Sequence, residues 1–265
     1  MKTKYNSFLK IFILSLLFIS CSNDDEDTNN SETPLYIKSI TEEIYYSSTS
    51  SSINITNFIY ENNKLIKSIN QQDGSYANIY YDGEKVTKID NLSADNILND
   101  SSTFFYEGDF LSKVEFDSGS ENYRLYYQNG KLIKSEYGTI NNSVYQIGLS
   151  REYTYENSNI TQVINNEVNN GTIYTSKNIF TYDNKNNPIK YMNKYLKLNY
   201  SNEVLNGLSE NNKLTQDSYY PITNTIPSKF IYQYVYNSDN YPTNIKRLTH
   251  SGTLISNTTI EYQSN

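Results

Sequence analysis

The feature that most constrains this chain is a short unit that returns along it. Each copy opens with Tyr and an acidic or amide residue, passes through a two-residue turn, and returns through an aliphatic residue. Copies begin at Tyr60, Tyr81, Tyr106, Tyr127 and Tyr155. Their turns are rich in Gly and Asn, which reach the positive φ of tight hairpins at little cost. A unit that recurs every 21 to 28 residues predicts a repeat architecture of β-hairpins.

Folding about each turn predicts the register of the hairpin. Tyr60 then pairs with Leu65, and regular alternation places Phe58 opposite Lys67. Neither face of these strands is cleanly apolar, which argues against a two-layer sandwich. We therefore predict an all-β fold, a single-layer antiparallel meander of about 16 strands curled into an open or closed barrel-like shape.

Two later copies begin at Tyr182 and Tyr236 and have longer turns. Each places a proline six residues after the Tyr, at Pro188 and Pro242. Because a missing N–H costs little at the start of a strand, both prolines are predicted to begin a return strand.

The N-terminus has the pattern of a secretion signal. Three lysines precede a short apolar core at 11–19, which is too short to span a membrane. The junction Phe18-Ile19-Ser20-Cys21 resembles the bacterial lipobox, in which the Cys is lipidated. An ordinary buried Cys behind a core helix is the alternative. We predict a lipoprotein signal peptide over 1–20 and lipidation of Cys21, the only Cys in the chain.

Residues 21–34 are acidic, almost free of apolar side chains and end in Pro, which predicts a disordered tether. Its consecutive flexible carboxylates are not expected to form a metal cage. Acidic residues directly after Cys21 resemble the surface-export signal of Bacteroidetes lipoproteins. The predicted location is therefore the outer membrane, exposed at the cell surface, with the periplasmic face as the alternative. Residues 35–265 then form the hairpin repeat domain.

The Tyr-(Asp/Glu)-x-(Gly/Asn)-Lys-(Leu/Val) unit resembles the tyrosine–aspartate repeats of Rhs-type proteins. Together with the leader, the chain resembles Bacteroidetes lipoproteins of unknown function with a porin-like β fold. The resemblance covers most of residues 58–246. It implies a fold and brings no catalytic residue.

The charge of the chain limits its partners. Three lysines and no acidic residue lie in the leader, so beyond it 19 basic residues face 29 acidic ones, a net charge near −10. This balance disfavours nucleic acid and anionic membrane surfaces. Contact with a membrane is expected through the lipid anchor only.

We expect no enzyme, cofactor or metal site. His250 is the only His and lies before a turn, and one His does not make a typical zinc site. The chain has no nucleophile elbow of the Gly-x-Ser-x-Gly kind. The carboxylates beside the repeat turns, such as Glu61 and Asp82, are interpreted as partners in cross-strand ion pairs.

Residues 195–230 depart from the repeat, and residues 202–214 are predicted to hold a short helix. Such a departure either caps an edge or forms a site. If it forms a site, Tyr219 and Tyr220 are the predicted binding residues, stacking on a neutral sugar. The leading hypothesis is a non-enzymatic binding or adhesion module for extracellular glycan or protein. A structural or assembly accessory of the outer membrane is the second, and a polysaccharide-active enzyme the third.

Overall fold

The computed structural model describes residues 34–47, 50–117, 121–200 and 204–264. The predicted signal peptide, the lipidation site Cys21 and nearly all of the tether therefore lie outside the described residues. The described residues contain no helix that is long and apolar enough to cross a membrane.

The described residues form sixteen strands. They are β1 (Leu35–Ser47), β2 (Ser50–Glu61), β3 (Lys64–Asn70), β4 (Tyr76–Asp82), β5 (Lys85–Leu92), β6 (Leu98–Glu107), β7 (Phe110–Phe116), β8 (Glu121–Gln128), β9 (Lys131–Asn141), β10 (Val144–Glu156), β11 (Asn159–Asn169), β12 (Thr172–Tyr182), β13 (Lys213–Tyr219), β14 (Ser228–Tyr236), β15 (Pro242–Thr249) and β16 (Leu254–Ser264).

Each strand pairs antiparallel with the next, and β16 pairs back onto β1, so the sheet is a closed barrel. At this seam Ile40 lies opposite Ile260. Closure leaves neither edge of the sheet unpaired. The all-β, single-layer meander of 16 strands is confirmed, and the barrel is closed rather than open.

A β-bulge follows nearly every repeat turn and corrects the predicted register. Tyr60 pairs with Leu65 as predicted, but Ile66 is an extra residue, so Lys67 lies opposite Ile59 and Ser68 opposite Phe58. The pairing of Phe58 with Lys67 is therefore wrong. A bulge moves every later side chain of its strand to the other face. It turns the lysine outward and sends the serine into the barrel.

The same shift occurs after the turns of five other hairpins. As a result, the outward lysines lie beside outward aromatic rings, with Lys113 Nζ 4.1 Å from the Phe105 ring centre. Outward ion pairs also join residues two apart on one strand, such as Lys88 with Asp90 at 2.9 Å and Lys134 with Glu136 at 2.7 Å. The outer wall of the barrel is thus charged as well as aromatic.

The two ends of the barrel differ. The repeat turns all lie at one end. The connection from β12 to β13 also lies there, and we call this end the plug end. This connection, residues 183–200 and 204–212, is the plug segment. The turns of the opposite end that the structure describes in full are at 71–75, 93–97, 142–143, 170–171, 220–227 and 250–253.

Pro242 begins β15, as predicted, but Pro188 does not begin a strand and instead lies inside the plug segment. The short helix predicted over 202–214 is also wrong for its described part, because residues 204–212 form turns and β13 begins at Lys213. In place of the expected hairpin, the plug segment packs its apolar side chains inside the barrel.

Candidate functional site

The plug segment has two faces. Successive backbone hydrogen bonds, from Met192 to Ile189 and from Tyr200 to Leu196, wind residues 187–200 into a series of turns. Turns of this kind bring residues three or four apart onto one side. Ile189, Met192 and Leu196 are buried in the barrel core beside inward strand residues. The other side carries three lysines, at positions 190, 194 and 197.

Polar contacts join the plug segment to the turns around it. Asn193 Nδ2 donates to the Glu84 carbonyl at 2.9 Å, and the Tyr195 hydroxyl donates to the Asp109 carbonyl at 3.0 Å. Deeper in the barrel, the Tyr200 hydroxyl lies 3.0 Å from Ser68 Oγ. These bonds reach three different hairpins, so the plug segment is positioned by the barrel rather than by its own backbone alone.

The last part of the plug segment is held by buried amides. Asn187 Nδ2 donates to the carbonyls of Asn206 and Ser209, at 2.8 and 3.1 Å. Asn159 of β11 donates to Asn211 Oδ1 at 2.9 Å and accepts from its backbone N–H. Because such side chains fix both donors and acceptors, this part of the segment has a defined shape.

A cleft of about 660 Å³ lies between the plug segment and the neighbouring hairpins. This volume is typical of ligand sites. One wall is formed by β7–β10 and the turns beside them, and includes Phe110, Tyr127, Gly130, Lys131 and Tyr155. The opposite wall is the plug segment, with its lysines, Tyr195 and the amides of residues 186, 187 and 211.

The aromatic side chains of the cleft are fixed in place. Tyr195 packs edge-on against Tyr106, with ring centres 4.8 Å apart. Burial and the nearby Tyr195 and Tyr153 raise the pKa of Tyr127 to about 12, and burial also raises the pKa of Tyr155. Both hydroxyls therefore stay protonated at neutral pH and can donate hydrogen bonds.

The charged side chains of the cleft are mainly cationic. Four lysines line it, Lys131, Lys190, Lys194 and Lys197, against the carboxylates of Asp109 and Glu210. Burial lowers the pKa of Lys197, and the charge of Glu210 opposes this shift. The Asp109 carboxylate lies 3.6 Å from the ammonium group of Lys85. The cleft thus concentrates positive charge in a chain whose formal net charge is −7.

The predicted binding residues lie elsewhere. Tyr219 ends β13 at the opposite end of the barrel, where its ring lies 4.6 Å from Lys177 Nζ on the outer wall. Tyr220 begins the following loop and is 61% exposed. Neither Tyr219 nor Tyr220 therefore lines the cleft.

Sequence reasoning missed the cleft although a signal was present. Lysines at 190, 194 and 197 alternate with apolar residues at 189, 192 and 196, which is an amphipathic spacing. The predicted departure from the repeat spans 195–230, whereas the insertion begins at 183. The Tyr182 copy resembles the others closely enough to hide that boundary.

A smaller cavity of about 170 Å³ lies inside the barrel between the plug segment and β1 and β2. Glu42 and Asn54 line it together with Tyr200. Burial raises the pKa of Glu42, and the positive charge of Arg247 partly offsets that effect. Among the residues that the structure describes, no three His, Cys, Asp or Glu side chains are grouped so that they could hold a metal ion.

Comparison with known proteins supports the fold. The barrel is similar to a solved porin-like protein. That protein comes from Bacteroides uniformis ATCC 8492, and the match has a TM-score of 0.53 at 11% identity, covering 86% of this chain and 98% of the other. A second porin-like protein, from Bacteroides vulgatus ATCC 8482, matches with a TM-score of 0.45 at 11% identity, over 88% of this chain and all of the other.

No family model matches the chain, and no curated protein does. The porin-like part of the expected resemblance is thus confirmed for the fold. The lipoprotein assignment and the relationship to tyrosine–aspartate repeats stay predictions.

Proposed function

We propose that this protein is a non-enzymatic cell-envelope lipoprotein whose cleft at the plug end binds extracellular glycan. The cleft itself carries the proposal, because it combines protonated tyrosines with fixed amides on two facing walls. Aromatic faces stack on sugar rings, and amide and hydroxyl groups satisfy sugar hydroxyls. The anchor at Cys21 would hold this module at the outer membrane, exposed to the cell surface.

The carboxylates in the cleft favour binding over hydrolysis. Glycosidases need two carboxyl groups that flank one scissile bond. Here Asp109 is 3.6 Å from Lys85 and strongly exposed, whereas Glu210 lies near Lys197. Each of these two carboxylates therefore has a lysine as its neighbour, which is the arrangement of an ion pair rather than of two carboxyl groups that flank one bond.

A second candidate, an assembly accessory of the outer membrane, is favoured by a different observation. Four hairpins at the opposite end of the barrel each expose a large aliphatic side chain. These side chains are Ile97, Val144, Ile173 and Ile226, between 61% and 78% exposed. Contiguous apolar surface is typical of contacts with protein partners, and these four side chains share one end of the barrel. Photo-crosslinking from position 226 in intact envelopes tests this role, and a failure to trap any protein counts against it.

The glycan proposal is tested by an array of extracellular polysaccharides with the mature chain carrying Cys21→Ala. Ser158 lies in the wall of the cleft, and its backbone carbonyl accepts from Glu210. Ser158→Trp leaves that backbone bond possible and fills the cleft, so we expect it to abolish glycan binding without lowering the melting temperature by more than a few degrees.

The matched control is Tyr219→Ala/Tyr220→Ala, which removes the two rings at the opposite end. This double variant should bind like the wild type. Loss of binding in the control with retention in Ser158→Trp would move the site to Tyr219 and Tyr220. Release of shortened sugars by the wild type would show an enzyme instead.

A further inference from the structure

The charge of the cleft is opposite to that of the chain. The chain has 29 acidic and 22 basic residues, yet four of the six charged side chains that line the cleft are lysines. Because low-dielectric walls concentrate such a field, a cleft can attract a ligand that the whole protein would repel. The expectation of a neutral ligand, which rests on net charge alone, does not describe this surface.

The cationic groups stand on both walls. Lys190, Lys194 and Lys197 project from one side of the plug segment, whose other side is anchored in the core. Lys131 comes from the facing hairpin, where it donates to the Asn157 carbonyl and lies 5.2 Å from the Tyr155 ring centre. The ammonium groups of both walls can therefore contact an anion that binds between them.

Aromatic rings accompany these lysines. Lys194 Nζ lies 4.9 Å from the centre of the Tyr195 ring, and Lys190 Nζ lies 5.3 Å from that of Tyr191. Each ammonium group is thus held over a ring face, which limits its motion. Phe110, Tyr127 and Tyr155 of the facing wall supply the rings for stacking, so that rings and ammonium groups occur in one cleft, as recognition of a charged sugar requires.

We propose that the cleft selects acidic polysaccharide, binding its carboxylate or sulfate groups through Lys131, Lys190, Lys194 and Lys197. This inference rests on the proposed glycan function and adds the charge of the ligand to it. The spacing of three lysines along 190–197, over two turns of the segment, fits a polymer with repeated negative charges better than a single small anion.

Binding of polygalacturonate, dextran sulfate and neutral dextran to the mature Cys21→Ala chain is the direct test. We expect the acidic polymers to bind and neutral dextran to bind at least about tenfold more weakly. Binding should also weaken as salt is raised. Preference for polygalacturonate assigns the carboxylate as the recognised group, and preference for dextran sulfate assigns the sulfate ester.

Lys190→Gln/Lys194→Gln should reduce affinity for the preferred acidic polymer by about tenfold or more, since charge-assisted hydrogen bonds are lost. Both side chains are exposed, so the fold should be retained. Lys229→Gln/Lys246→Gln on the outer wall makes the same change in net charge and should leave affinity within about twofold.

The possible failures are distinguishable. Equal binding of neutral and acidic polymers, or equal effects of the two double variants, overturns the acidic selection but keeps the glycan function. Absence of binding to every polysaccharide tested overturns both. Tighter binding of single-stranded DNA than of either acidic polymer would also overturn the proposal, because the cleft would then recognise charge without the sugar.

Discussion

The hydroxyl of Tyr106 on β6 donates a hydrogen bond to the carbonyl of Val86 on β5, 2.7 Å away. Val86 is the residue opposite Tyr81, directly before the bulge of the preceding hairpin. The same relationship joins Tyr81 to Leu65, 2.8 Å apart, and Tyr182 to Ile160, 2.6 Å apart. These three repeat tyrosines therefore bond the backbone of the hairpin before them, at the point where a bulge interrupts the strand ladder.

Tyr106→Phe should lower the free energy of unfolding by about 1–2 kcal/mol, because the Val86 carbonyl loses its donor inside the barrel. Denaturant unfolding measures this change. Tyr220→Phe, which removes a hydroxyl from an exposed loop, is the control and should be neutral. Equal stability of the two variants would mean that the tyrosine bonds do not stabilise the fold.

Gly138→Ala should destabilise the barrel by about 1–3 kcal/mol through overpacking. A Cβ at this position would lie 2.3 Å from the Gln146 carbonyl oxygen and 2.9 Å from the Tyr145 ring. Gly148 is the matched control, because its Cβ would meet its nearest neighbour at an ordinary 3.8 Å. A thermal melt in which both alanine variants match the wild type contradicts this prediction.

The protein should lose stability as the pH rises above 10. Burial is the main cause that raises the pKa of Tyr127 and of Tyr182 to about 12. The unfolded tyrosines ionise near their ordinary value of about 10. The contribution of these tyrosines to the free energy of unfolding is thus complete below a pH of about 10. It is lost as the pH rises toward their pKa values in the folded state, because the unfolded state then holds fewer protons than the folded state.

Tyrosinate absorbance and circular dichroism, followed together from about pH 9 to about pH 12, check this expectation. This range spans the tyrosine pKa values of the unfolded and folded states. Ionisation of most tyrosines near pH 10 with the β-sheet signal intact would show that the inward hydroxyls are not protected by folding.

The barrel of residues 35–265 should fold without detergent. Its outer wall carries ion pairs such as Lys113 with Glu115, 2.6 Å apart, and Lys134 with Glu136, 2.7 Å apart. A lysine facing lipid at the midplane costs about 2–4 kcal/mol. Size-exclusion chromatography of this segment in plain buffer is the measurement, and a folded monomer that forms only in detergent would contradict the expectation.

Cys21→Ala should release the mature protein from membranes, because the variant lacks the residue on which the lipid anchor is predicted. Phase separation in a detergent that partitions lipidated proteins measures the change. Ser20→Ala changes the neighbouring residue and should leave anchoring intact. A Cys21→Ala variant that still enters the detergent phase would show another membrane attachment.

Much of the barrel was predictable because turns and strands are local. The pair Tyr60–Leu65 follows from turn length alone and is confirmed, and a turn of the same length pairs Tyr81 with Val86. The bulges were not predicted, although buried residues three apart, such as Val86 and Ile89, break the period of two. That spacing is the sequence signal of a bulge, and an assumption of regular alternation hides it.

The cleft was harder to predict because it depends on distant contacts. Asn193 contacts the carbonyl of Glu84, 109 residues earlier in the chain. Only closure of the barrel brings these residues together. The sequence shows that Lys190 and Lys194 share one side of a segment, but not that Lys131 stands opposite them.

The plug segment replaces a single connection, between Tyr182 and Lys213. The pairing of β12 with β13 on either side of it is set by their own ladder. Mutations on the lysine side of this connection should therefore alter the proposed recognition without changing strand register. Related barrels could diverge in specificity by exchanging this one loop, so it is the first segment to transplant when a barrel of this type is to be given a new ligand.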